Sequence, residues 1–139
     1  MARNDDLQED NNPFEPRRNE ALLGHEEAEK TILDAWNSKR MHHAWLLCGP
    51  RGVGKATLAY RMARFILSGG GTGGAGLFGD QPDGLYVDPE DPVARRIAGG
   101  GHGDLKVIGV FGLFQRLWVD LMEWPIPATG LGLEIWFVD

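Results

Sequence analysis

Cysteine is almost missing. Cys48 stands alone among 139 residues, so no disulfide can form within the chain, and usage of this kind suits a reducing compartment. Its place at the end of an apolar run predicts a small buried hydrophobe. An excess of positive charge is missing too. The 14 Lys and Arg stand against 20 Asp and Glu, a net charge of −6 at pH 7. That balance argues against bulk attraction to nucleic acid or to an acidic membrane surface, while leaving a local basic patch open. No nucleic-acid-binding motif occurs. The amino terminus, M-A-R-N-D-D-L-Q-E-D, has no apolar core of a signal peptide. No uninterrupted apolar run approaches the roughly 20 residues a membrane helix needs. The expectation is one modest cytoplasmic domain, or a fragment of something larger, with no membrane partner.

What is present is a glycine loop in a telling context. Ala44 to Thr57 reads A-W-L-L-C-G-P-R-G-V-G-K-A-T. Trp45, Leu46 and Leu47 form a continuous apolar run, as expected of a central parallel strand buried on both faces. After the loop, Leu58, Met62, Phe65 and Ile66 recur at helical spacing, with Arg61 and Arg64 on a more polar side. Strand, loop, helix is the order a phosphate-binding loop requires. Backbone N–H groups around Gly52 to Lys55 can then point into one concavity, reinforced by the positive end of the helix dipole. Gly52 and Gly54 permit close approach of a phosphate, and Lys55 supplies a point charge. The nucleotide-binding candidates are therefore Gly49, Pro50, Arg51, Gly52, Val53, Gly54, Lys55, Ala56 and Thr57. Arg51 fits a solvated charge as well as a phosphate contact.

One departure limits the chemistry. The pattern G-x-x-x-x-G-K is normally followed by Ser or Thr, whose hydroxyl holds Mg²⁺, and here Ala56 follows Lys55. Thr57 is the nearest hydroxyl, but one residue along a helix turns the side chain by about 100°. ATP is thus a possible ligand, Mg²⁺ has no standard protein oxygen, intrinsic hydrolysis is not expected, and no catalytic residue is assigned.

Elsewhere, residues 1–18 are polar, charged and broken by Pro13 and Pro16, which predicts a disordered arm. Glu26 to Ser38 reads as a helix with Ala28, Ile32, Ala35 and Trp36 on its apolar face and with acids near its positive end. His42 and His43 lack a third ligand at sensible spacing, so a structural role is expected and no metal site is assigned. Residues 68–79 are glycine-rich and read as a flexible linker. Within them G-T-G-G-A-G, Gly71 to Gly76, formally matches a dinucleotide fingerprint, but it follows a helix where a fingerprint must follow a strand. Val87 to Ala98 predicts a short helix stopped by Gly99 to Gly101.

Three blocks carry a family resemblance. They are L-L-G-H-E-E-A from Leu22, H-A-W-L-L-C-G-P-R-G-V-G-K-A-T-L-A from His43, and V-D-P-E-D-P-V-A-R-R-I-A-G-G-G-H-G-D-L from Val87. Together they resemble the amino-terminal domain of the DNA polymerase III delta-prime family, over about residues 17–106. The middle block is shared with clamp-loader ATPases generally. K-A-T, where gamma and tau subunits have K-T-S or K-T-T, favours delta-prime. The resemblance implies an α/β fold, a three-layer parallel sheet of the P-loop NTPase (AAA+) type with the Ala44 to Cys48 strand central. It also implies a stator-like clamp-loader subunit that works with gamma/tau and delta to place the sliding clamp on primed DNA. Relatives often insert a four-cysteine zinc module after the loop helix. No cysteine lies there in this chain, so zinc is not implied. His102 and Asp104 match a family block, G-H-G-D-L against H-P-D-L with Gly103 replacing the proline, and their default roles are capping or packing.

The domain reading is an arm over 1–18, a P-loop portion over 19–106 and a divergent apolar tail over 107–139. Beyond Lys106 the charged residues are Arg116, Asp120, Glu123, Glu134 and Asp139, while Phe111, Phe114, Trp118, Trp124, Trp136 and Phe137 crowd in. Relatives are more charged here. A frameshifted, truncated or simply divergent tail each fits. The ending I-W-F-V-D, Ile135 to Asp139, mimics a Walker B strand, whose carboxylate orients Mg²⁺. Sensor elements, the serine-arginine-cysteine motif and the helical collar of relatives are not found, so at most an incomplete, nucleotide-binding half-domain is expected. Two other classes stay open: an active AAA+ ATPase, to be recognised by magnesium-dependent turnover, and a small P-loop phosphotransferase, to be recognised by phosphorylation of a metabolite.

Overall fold

The computed structural model describes residues 12–71, 81–110, 114–119 and 133–138; within 106–110, 114–119 and 133–138, Ile135 is the one side chain described. The elements run α1 (Glu26–Asn37), β1 (Ala44–Leu47), α2 (Lys55–Leu67), α3 (Pro92–Ala98), β2 (Leu105–Val110), β3 (Phe114–Val119) and β4 (Leu133–Val138).

Each helix is bounded by local chemistry. In α1, Glu26, Glu27 and Glu29 occupy the first turn, where the helix dipole favours negative charge. Asp91 caps α3 by accepting from the N–H groups of Val93 at 2.8 Å and Ala94 at 3.4 Å, and Pro92 supplies a preset first residue. All three helices end the same way. A left-handed residue follows the last turn, and two N–H groups fold back on the final carbonyls. In α2 these are Gly69 to Ile66 and Gly70 to Phe65; in α3 they are Gly100 to Ile97 and Gly101 to Arg96. In α1 the left-handed position holds Lys39, at φ 56°, with its N–H on Trp36 and that of Arg40 on Ala35.

The core is built around α2. Leu58, Ala59, Met62, Ala63, Phe65 and Ile66 are buried along it and meet Ile32 of α1, Leu85 and Val87 of the following segment, Ala94 of α3 and Ile135 of β4. Phe65 takes Trp36 edge-on, with ring centroids 5.0 Å apart, a geometry favoured by the ring quadrupoles. An ion pair between Arg61 and Glu29 also links α2 to α1.

The strands pair in the order β1-β4-β3-β2. β4 runs parallel to β1, with Ala44 opposite Glu134 and Leu47 opposite Phe137. β3 is antiparallel to both β4 and β2. The described sheet is therefore mixed, where a parallel sheet was expected, because β3 runs against both of its neighbours. β1 is a second correction. It lies at the edge of the described sheet instead of its centre, and its burial alternates, with Leu46 65 % exposed while Trp45 and Leu47 are half-buried. Cys48 is accordingly exposed, not a buried hydrophobe.

Two segments expected to be loose are built into the fold. Of the arm, residues 13–18 form turns, with the N–H groups of Arg18 and of the following Asn19 both on the carbonyl of Glu15 at 2.8 Å. They are held by Arg64, whose Nη1 donates to the carbonyl of Arg17 at 2.9 Å and Nη2 to that of Asn19 at 3.2 Å. Arg64 is thus buried, at 6 % exposure, and not on a polar face. Of the linker, Ser68 to Gly71 close the end of α2: Ser68 Oγ donates to the carbonyl of Phe65 and accepts from the N–H of Gly71. Residues 1–11 of the arm, 72–79 of the linker and Asp139 of the Walker-like ending lie outside the described residues.

Candidate functional site

The loop Cys48 to Gly54 joins the end of β1 to the start of α2. Gly54 takes the N-cap position at φ 96°, a left-handed conformation that L side chains avoid, and turns the chain sharply into the helix. No side chain caps that end of α2. Its first N–H groups therefore have no intrahelical or side-chain acceptor among the described residues, and they lie where the loop enters the helix.

Lys55 opens the helix and is the most buried member of the candidate set, at 5 % exposure. Its Nζ donates to the carbonyls of Gly49 at 2.9 Å and Pro50 at 2.7 Å, so the ammonium lies under the arch of its own loop. An ammonium has three donors. The loop thus gathers a helix N-terminus and a buried cation at one place, an arrangement suited to an oxyanion.

The remaining candidates divide clearly. Gly49, Pro50, Arg51, Gly52 and Val53 are exposed on the loop. Ala56 is half-buried and packs against the core cluster. Thr57 is buried at 7 % exposure. For Mg²⁺ the loop positions do not fit: Ala56, which follows Lys55, has no oxygen, and Thr57 stands one residue further along the helix, turned by about 100° from that position. No reaction step is derived through the metal.

Two contacts to the loop were not singled out by the loop pattern. His25 Nε2 lies 2.6 Å from the carbonyl of Val53, and Leu22 Cδ1 lies 3.3 Å from where a β-carbon on Gly54 would be. Both sit in the segment before α1. No spacing rule connects residues 28 positions apart, so the L-L-G-H block was the one signal that could have found them. The other residues considered have local roles. His102 Nδ1 accepts from the N–H of Asp104 at 3.2 Å. His42 sets its ring edge-on to Trp45, whose Nε1 donates to the His42 carbonyl at 3.0 Å.

Away from the loop, burial acts on two α2 side chains. It pushes the Tyr60 phenol above its usual value, with Arg17 opposing and Glu15 adding to the shift. Desolvation lowers the Arg64 guanidinium from its usual value, partly offset by Glu20.

Over 53 residues the chain is 40 % identical to DNA polymerase III subunit tau of Bacillus subtilis, covering 38 % of this chain and 9 % of that protein. Over 53 residues it is 37 % identical to DNA polymerase III subunit gamma of Buchnera aphidicola, covering 38 % of this chain and 15 % of that protein. The chain therefore matches only a small part of the length of these relatives. No family model and no solved structure matches. Among the described residues, no helix is long and apolar enough to cross a membrane.

Proposed function

We propose that this chain is a nucleotide-loop portion of a DNA polymerase III clamp-loader subunit, of the delta-prime type, with an incomplete P-loop NTPase (AAA+) fold. It binds ATP at Gly49 to Thr57 without turning it over. Its role in DNA replication is exerted through partners, the gamma/tau and delta subunits, as they load the sliding clamp on primed DNA. The observation that carries this reading is the pairing of a buried Lys55 under the loop carbonyls with a neighbouring Ala56 packed into the core. The first is the binding half of a phosphate loop; the second removes its metal-placing half. The short matches to tau and gamma support the clamp-loader assignment. The preference for delta-prime rests on Ala56.

Binding of a fluorescent ATP analogue to the purified chain, with and without Mg²⁺, tests it. Saturable binding that Lys55→Ala weakens by about tenfold or more, with little gain from Mg²⁺, is the expected result. Magnesium-dependent turnover by the chain alone sinks the reading in favour of an active ATPase. Failure to bind, by protein whose thermal melt shows it folded, removes the nucleotide from the proposal.

A further inference from the structure

A cavity of about 260 Å³ opens where the arm, α2 and α3 meet. Four guanidinium groups line it, Arg17 and Arg18 from the arm, Arg64 from α2 and Arg95 from α3, with Glu20 as the one lining carboxylate. Apolar residues, Val87 and Ala94 among them, also line it. None of these residues belongs to the loop. Arg64 lies nine positions beyond Lys55 in α2, about 13 Å along the helix axis.

Such a cluster is unusual for a chain of net charge −6. Its existing partners absorb part of the charge: Glu15 pairs with Arg17 at 2.8 Å and Arg18 at 3.8 Å, and Glu90 pairs with Arg95 at 3.6 Å. The last pair is exposed, with side-chain exposures of 68 % and 82 %, and is screened by solvent. A guanidinium carries a fork of N–H donors and no acceptor. Arg64 spends two donations on the carbonyls of Arg17 and Asn19, and Arg18 Nε donates to the carbonyl of Ala98 at 3.2 Å. Among the described residues the cavity is thus rich in planar donors, has Glu20 as its lining carboxylate, and is bounded in part by apolar surface that strengthens the local field.

We propose that this cavity is a second anion site, one that takes a compact phosphate group by the guanidinium groups of Arg17, Arg18, Arg64 and Arg95. Phosphate suits it because its oxygens accept from several guanidinium planes at once. A long polyanion is disfavoured, since the negative charge of the rest of the chain opposes its approach.

The test is a phosphate titration followed by NMR on the Lys55→Ala protein, in which binding at the loop is weakened, with chloride at matched ionic strength as the control. Saturable shifts are expected at Arg17, Arg18, Arg64 and Arg95, weakened about fivefold by Arg95→Gln, a surface change that leaves the fold intact. Arg18→Gln is expected to act in the same direction. Shifts that fail to saturate, that chloride reproduces, or that neither variant weakens overturn the proposal. A single-stranded oligonucleotide that binds where inorganic phosphate does not overturns it as well, in favour of a phosphodiester surface.

Discussion

The two ends of α2 carry the same kind of sequence and use it in opposite ways. Before the helix, Gly52 stands in open space: a β-carbon there would meet nothing within 4 Å. After it, Gly71 is packed against the core: a β-carbon there would lie 2.6 Å from the carbonyl of Tyr86 and 3.4 Å from Phe65. Both glycines have left-handed backbones, φ 81° and φ 79°. Glycine content thus says that a chain bends. What surrounds the missing side chain decides whether the bend receives a ligand or closes a core.

Gly71→Ala puts the contrast under the greatest strain. A methyl there meets backbone that cannot move aside, on top of an unfavourable φ, and is expected to cost about 2–5 kcal/mol, read from the shift in urea midpoint. Gly52→Ala meets only the backbone term, about 1–2 kcal/mol, yet it is expected to weaken binding of an ATP analogue about tenfold by disturbing the loop. Equal stability losses at the two positions would mean that the environments do not differ as described. Lys39→Gly refines the point from the other side. It places glycine where α1 ends in a left-handed residue, as α2 and α3 already do, and should raise stability by up to about 1 kcal/mol in the same denaturation assay. A loss there would show that the lysine stem contributes more by packing than its backbone costs.

These helix ends also mark how far the sequence could be read. The apolar stripe Leu58, Met62, Phe65, Ile66 and the boundaries of α1 were legible, since both depend on residues three to five apart. So was the order of strand, loop and helix around Lys55. What escaped depends on long-range geometry. Arg64 looks like a surface charge until the carbonyls of Arg17 and Asn19, more than 40 positions away, arrive to occupy its fork. The segment 12–18 reads as a loose arm for the same reason. Trp45 to Leu47 reads as a central strand because three apolar residues in a row cannot reveal whether both faces are covered, and one of them is not. At the loop, position 56 was legible as an alanine, whereas its packing and the approach of His25 to Val53 were not.

The pairing of β1 with β4 carries a consequence for the order of events in synthesis. Ala44 and Glu134 are opposite one another, a separation of 134 − 44 = 90 positions. At translation rates of about 5–20 residues per second, the strand that carries the loop waits on the order of ten seconds for its neighbour. The contacts of α1 with α2, by contrast, span a few tens of residues and form as soon as both helices are out of the ribosome. The pairing that mounts the loop strand on β4 therefore comes after α1 has docked on α2, and through that interval the β1 backbone edge that β4 later takes is the surface a chaperone would have to shield.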